Sequence, residues 1–150
     1  MIIPNLPPFD ILLIEDDPAD AHLVSLALKE GCIRARLHHQ PDGREGLDFL
    51  KRISPHDDAP RPDLILLDLN MPRMNGREFL AAIKADDAFK AIPVVILTTS
   101  DVERDVVASY QLGASGYITK PVDMRQFVAA VEQLGDYWFT LTRLPMSNKK

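Results

Sequence analysis

Asp63-Leu64-Ile65-Leu66-Leu67-Asp68-Leu69-Asn70-Met71-Pro72-Arg73-Met74-Asn75-Gly76 is the stretch whose reading decides the fold. Four consecutive apolar residues, Leu64 to Leu67, read as a strand buried on both faces, as in a parallel sheet. The run stops at Asp68. Ligands of open α/β sheets bind beyond the carboxyl ends of the strands, so Asp68 is expected at the mouth of a site. Met71-Pro72 forces a loop. Asn75, with Glu78 three residues on, predicts a capping box that opens a helix with Gly76 inside it. Alone, an acid at a strand end is ordinary punctuation; the other strands change the odds.

Upstream, Ile11-Leu-Leu-Ile14 is a second buried run, and it too ends in acid, Glu15-Asp16-Asp17. Asp17 as cap and Pro18 as first residue open a helix. Its buried face is expected from Leu23, Leu26 and Ala27, with Gly31 as the stop. Arg34 to His38 alternates weakly, as a poorly marked strand. Asp42-Gly43 leads into a helix carrying Leu47, Leu50 and Ile53. Segment 54–62, with three prolines and two acids, reads as a surface loop.

Downstream, Phe79, Leu80 and Ile83 form the inward face of a helix over Gly76 to Lys84. Val94-Val-Ile-Leu97 is a β-branched run ending in Thr98-Thr99-Ser100. Ser100 and Glu103 open a helix to about Leu112. Gly113 and Gly116 bracket the turn into Tyr117-Ile118-Thr119, which ends at Lys120-Pro121. Asp123 with Gln126 starts a last helix. Five alternations of strand and helix predict an α/β fold, a parallel sheet with helices on both faces. Right-handed crossovers put all strand ends on one rim.

A chain of 150 residues fits one domain, and 46% apolar residues with seven glycines fit a globular core. The net charge of −5, without a basic patch, argues against a nucleic-acid partner. Cys32 stands alone, so no intrachain disulfide forms and a reducing compartment such as the cytoplasm fits. Met1 to Phe9 holds three prolines and no basic residue, unlike a signal peptide. No apolar run approaches the roughly 20 residues of a membrane span. His22, His38, His39 and His56 show no ligand spacing and read as solvated or packing residues.

The residues just past the strands are Glu15 and Asp16, then Asp68, then Thr98, then Lys120. Each alone reads as a cap or a solvated charge. Together they are a set that structure alone does not require. Two like charges about 4 Å apart repel by roughly 4 kcal/mol at an effective dielectric near 20. Three converging carboxylates therefore ask for cations. Lys120 supplies one charge, and a hard divalent ion with oxygen ligands, Mg²⁺, would supply the rest. Asp16 and Asp68 are the expected direct ligands, the Asn70 backbone carbonyl reaches the same ion, and Glu15 holds a metal-bound water. A carboxylate beside such an ion can attack a phosphoryl group to give an aspartyl phosphate. Lys120 and the metal neutralise the phosphoryl oxygens, and the Thr98 hydroxyl donates to one of them.

These residues resemble the receiver domain of two-component response regulators, from about Phe9 to Leu134. The marks are Ile14-Glu15-Asp16-Asp17, Asp68-x-x-Met71-Pro72-x-Met74-x-Gly76, Thr98-Thr99-Ser100 and Gly116-Tyr117-x-x-Lys120-Pro121. Many members carry Asp where Glu15 stands; Glu keeps the charge. The resemblance implies a flavodoxin-like (βα)5 doubly wound five-stranded sheet. It implies that Asp68 takes a phosphoryl group from a histidine kinase that docks on the first helix and the Pro121 loop. It also implies that Asp16, Asp68 and the Asn70 carbonyl hold Mg²⁺, that Thr98 and Tyr117 switch together, that Lys120 pairs with the phosphate, and that the Lys120–Pro121 bond is cis.

The tail departs from a minimal receiver. Met124, Phe127, Val131, Leu134, Trp138 and Leu141 are spaced 3, 4, 3, 4, 3, a heptad-like seam through Gly135. Beyond it, Tyr137, Trp138, Phe139, Leu141 and Leu144 form an apolar overhang of the kind that marks an interface. The expectation is an arm over 1–8, a receiver over 9–134 and a homodimerising extension over 135–150, with Phe127 and Val131 in the same seam. This tail, with Asp68-Leu-Asn-Met-Pro-Arg and Leu97-Thr-Thr-Ser100, resembles the small single-domain regulators paired with bacterial phytochrome kinases. Three other classes compete: a receiver-like module that binds without phosphorylation, an aspartyl-nucleophile phosphatase, and a nucleotide-binding flavodoxin-like module. The phosphatase wants a second Asp two residues after the nucleophile, where Asn70 stands. The nucleotide module needs a glycine- or hydroxyl-rich loop after the first strand, where Glu15-Asp16-Asp17-Pro18 would repel phosphate.

Overall fold

The computed structural model describes residues 9–30, 35–69, 74–98, 113–120, 122, 125–127 and 129, and of Thr98 the backbone alone. Strands β1 (Phe9–Ile14), β2 (Ala35–Gln40), β3 (Leu64–Asp68), β4 (Val94–Thr98) and β5 (Gly116–Thr119) alternate with helices α1 (Pro18–Glu30), α2 (Gly43–Lys51) and α3 (Gly76–Lys84). Residues 125–127 are helical. The expected helix after Ser100, the Asn70 carbonyl, the Lys120–Pro121 bond, the arm over 1–8 and the tail residues Val131, Tyr137, Trp138, Phe139 and Leu141 lie outside the described residues.

The five strands form one parallel sheet in the order β2-β1-β3-β4-β5. Every residue of β1 and β3 is buried, because helices cover both faces. Alternation sorts their side chains into two cores. Leu12, Ile14, Ile65, Leu67, Val94 and Ile96 pack with Leu47 and Leu50 of α2 and Phe79, Leu80 and Ile83 of α3. Ile11, Leu13, Leu64, Leu66, Val95 and Leu97 pack with α1, Ile118, Val122 and Phe127 on the other face.

The caps follow the sequence. Asn75 accepts from the Glu78 N–H at 3.0 Å while the Glu78 carboxylate accepts from the Asn75 N–H at 2.9 Å, the reciprocal box expected. Asp17 accepts from the Ala19 N–H at 2.9 Å. Two expected faces differ. The buried residues of α1 are Ala21, Val24, Ala27 and Leu28; Leu23 is only half-buried and Leu26 is 40% exposed. Apolar residues occur all round this helix, so periodicity does not select a face, and the sheet takes the one whose alanines allow close approach. Helix α2 ends at Lys51 with Arg52 in the left-handed region at φ 57, its N–H returning to the Asp48 and Phe49 carbonyls. Ile53 therefore lies past the helix and is exposed.

Strand β2 is poorly marked because it is a half-buried edge held by polar groups. Buried Asp10 accepts from Arg36 at 2.9 and 3.1 Å and pairs with His38 Nε2 at 3.0 Å. Burial pushes the Asp10 carboxyl up, but Arg36 and His38 outweigh it and hold it below the usual value. Asp10→Ala should therefore cost about 1–3 kcal/mol at pH 7, read by urea unfolding. Because the folded-state pKa is depressed, that contribution is present above the ordinary carboxylate range and fades as pH falls below it. The variant and wild type should converge toward acid.

Candidate functional site

In the order 2-1-3-4-5, β1 and β3 are neighbours although their connections leave in opposite directions. The crevice beyond their carboxyl ends is the switch point where such sheets bind ligands. Register places the acids there. Ile14 pairs with Leu67, so Glu15 stands level with Asp68. Asp68 pairs with Leu97, and Thr98 with Thr119, so Lys120 leaves the sheet on the same rim.

Glu15, Asp16 and Asp68 each offer a carboxylate oxygen, all within 4.8 Å of one another. Glu15 is 0% exposed and Asp68 3%, whereas Asp16 faces solvent. Lys120 Nζ lies 2.7 Å from Glu15 Oε1, 3.0 Å from Asp20 Oδ2 and 3.4 Å from Asp68 Oδ2. Its directed hydrogen bond goes to Asp20; the contact with Glu15 is an ion pair, and the buried Oε1 has no hydrogen-bond donor. Glu15 Oε2 accepts from the Asp17 N–H at 3.2 Å.

The backbone around these groups is fixed by neighbours. The Glu15 N–H donates to the Gln40 carbonyl at 3.0 Å, and the Glu15 carbonyl takes His39 Nε2 at 2.6 Å. Gln126 Oε1 accepts from the Thr119 N–H at 3.1 Å, steadying the end of β5 just before Lys120. Gly76 lets α3 approach the loop after β3. A Cβ there would stand 2.4 Å from the Asp68 carbonyl oxygen and 2.6 Å from Leu69 Cα. No side chain fits that gap.

The charges perturb one another. Burial, aided by the nearby Asp68 charge, pushes the Glu15 carboxyl up to about 7 despite the ammonium of Lys120. Burial alone would depress Lys120, but Glu15, Asp20 and Asp68 outweigh it and hold its pKa well above the usual value. The partners shift unequally because Lys120 has three carboxylates around it, whereas Glu15 has one cation to set against full burial. Folding thus favours a protonated Glu15. Stability of metal-free protein should fall as pH rises from about 4.5 to about 7. Glu15→Gln should flatten that slope and gain on the order of 1–2 kcal/mol at pH 7.5, read by melts in chelator.

Among the described residues the donor set is all oxygen and too negative for one ammonium, and buried Glu15 Oε1 has accepting capacity left over. That chemistry fits a hard divalent cation. Of the residues expected at the site, Glu15, Asp16, Asp68 and Lys120 come together here. The Thr98 backbone reaches the rim. Tyr117 is half-buried and packs against the core that holds α2 and α3. Phe127, expected in a dimer seam, is 1% exposed and spends its side chain on the core of its own domain. The sequence reading missed Asp20, whose place in the first turn of α1 is that of an ordinary helix acid, and His39, which carries no motif.

A parallel sheet with an acidic, cation-seeking pocket and one lysine at its switch point defines a class of phosphoacceptor signalling domains. The family model described as "Response regulator receiver domain" matches residues 11–132, and the chain belongs to that family. It is 43% identical over 139 residues to response regulator Rcp1 of Synechocystis sp., covering 93% of this chain and 95% of Rcp1. The structure resembles the Mn(2+)-bound form of Rcp1 with a TM-score of 0.74 at 42% identity, covering 91% of this chain and 99% of that one. The phosphorylated cyanobacterial phytochrome response regulator RcpA gives 0.73 at 40% identity, covering 92% and 99%. Bacteriophytochrome response regulator RtBRR gives 0.80 at 41% identity, covering 85% and 78%. Among the described residues no helix is long and apolar enough to cross a membrane.

Proposed function

We propose that this receiver takes a phosphoryl group on Asp68 from a histidine kinase, with Mg²⁺ held by Asp16, Asp68 and the Asn70 carbonyl and, through water, by Glu15. The observation that carries this reading is the meeting of three carboxylates within 4.8 Å, with Lys120 Nζ 3.4 Å from Asp68 Oδ2. An Asp68 oxygen attacks phosphorus. The bond from phosphorus to the kinase histidine nitrogen breaks, and its electron pair stays with the imidazole. Lys120 stabilises the charge on the phosphoryl oxygens. The metal, when bound, neutralises the remaining pocket charge and aligns the donor. Thr98 then closes on the phosphoryl group and Tyr117 follows it inward, which changes the surface beside β4 and β5. The Lys120–Pro121 bond would be cis, as the family likeness implies.

The family likeness to phytochrome regulators supports a phytochrome as the kinase, and the aromatic tail supports a homodimer through Tyr137, Trp138, Phe139 and Leu141. The protein would work in the cytoplasm and act on no substrate but its own phosphoaspartate. A phosphatase reading is disfavoured because Asn70 stands where that chemistry needs an acid. The test is mass spectrometry after acetyl phosphate and Mg²⁺. An acid-labile gain of one phosphoryl group on Asp68, absent in chelator, is expected. No gain with either acetyl phosphate or a kinase would overturn the reading.

A further inference from the structure

The directed hydrogen bond of Lys120 points away from the phosphoacceptor. Nζ donates to Asp20 Oδ2 at 3.0 Å, on the first turn of α1, while Asp68 Oδ2 is farther, at 3.4 Å. The Lys120 side chain is 10% exposed and that of Asp20 29%, so the bond is partly shielded from water. Among the described residues, the bond to Asp20 is the one that orients the ammonium. After phosphoryl transfer the ammonium must turn a proton squarely toward a phosphoryl oxygen on the Asp68 side, so the bond to Asp20 competes with that turn. We propose that Asp20 is a positioning residue that latches Lys120 in the resting receiver and must release it for the phosphorylated state. This rests on the reading of Asp68 as phosphoacceptor.

The latch explains what Asp20 does that a plain first-turn acid does not. A helix-dipole acid needs only the N-terminus of α1, and that end already has Asp17, which accepts from the Ala19 N–H. Asp20 instead reaches a lysine one hundred residues away. It adds a fourth carboxylate to a pocket where Lys120 is the one cation among the described residues, at a cost that helix capping does not require. Its competition sets how readily Lys120 turns to the phosphoryl group. A phosphorylated pocket that wins the lysine also frees the start of α1, so the state of Asp68 is communicated to that helix.

The test compares Asp20→Asn with Asp17→Asn. Both remove one negative charge from the same loop and turn, Asn still caps a helix, and Asp17 makes no contact with Lys120 among those described. With acetyl phosphate at saturating Mg²⁺, Asp20→Asn should take up phosphoryl groups about three- to tenfold faster than wild type. Asp17→Asn should change the rate by less than about twofold, and the Mg²⁺ half-saturation should move alike in both. In metal-free protein, melting shifts of Asp20→Asn and Lys120→Ala should be non-additive by a few degrees. Equal rates for the two Asn variants, or additive melting shifts, overturn the latch. Absence of uptake in wild type instead removes the phosphoacceptor reading itself, while the melting cycle still reports the Asp20–Lys120 bond.

Discussion

Asp68→Asn is expected to reduce phosphoryl uptake to background and, in metal-free protein, to raise the melting temperature. The first effect follows from chemistry: an amide has no anionic oxygen to attack phosphorus. The second follows from charge. Asp68 stands within 4.8 Å of oxygens of Glu15 and Asp16, and each such pair repels by about 3 kcal/mol at an effective dielectric near 20. Against this, Lys120 at 3.4 Å attracts it by about 5 kcal/mol on the same scale. Asp16 faces solvent, which screens its share, so the pairwise terms nearly cancel. Asn also avoids the cost of burying a charge at a position that is 3% exposed. The balance leaves roughly 1 kcal/mol in favour of Asn, or about 2–4 °C in a chain of this size. Added Mg²⁺ should reverse the order, because wild type offers the ion one more anionic ligand. A metal-free melt in which Asp68→Asn falls below wild type would mean that the acids do not strain the fold.

How much of this was legible in the chain varies with the physics of each part. Strands β1, β3 and β4 announce themselves because both of their faces are buried, so each carries an unbroken run of four apolar residues, at 11–14, 64–67 and 94–97. Strand β2 hides because it is an edge whose order comes from Asp10 holding Arg36 and His38, a polar arrangement without periodicity. The face of α1 was misread because apolar residues circle the helix, and only the sheet decides that Val24 turns in and Leu26 out. The acids of the rim were legible because each follows an apolar run directly. Asp20 was not, since its partner is distant in sequence and its position suits a helix start equally well. His39 acts on a backbone carbonyl, and no residue type at any spacing signals that.

Lys120→Ala is expected to act on the same pocket with the opposite sign. The ammonium is the cation shared by Glu15 at 2.7 Å, Asp20 at 3.0 Å and Asp68 at 3.4 Å. Without it, two nearly inaccessible carboxylates, Glu15 and Asp68, lose the cation they share among the described residues, and breaking a buried pair in this way costs about 3–5 kcal/mol. The loss should depend on pH. Burial already pushes Glu15 up to about 7, and removing the lysine pushes it further. Below that range Glu15 takes up a proton and the uncompensated charge disappears. The deficit should therefore be largest near pH 8 and about halved near pH 5.5, read by chemical unfolding in chelator. Mg²⁺ should restore part of it at pH 8, since the ion supplies charge to the same oxygens. Adding Asp68→Asn to Lys120→Ala should recover stability as well, because it removes one of the charges left stranded. If Lys120→Ala unfolds at the wild-type denaturant concentration at pH 8 without metal, the lysine is not what holds these acids together. The pocket would then owe its shape to the backbone clamps on Glu15 and to the close approach of Gly76 alone.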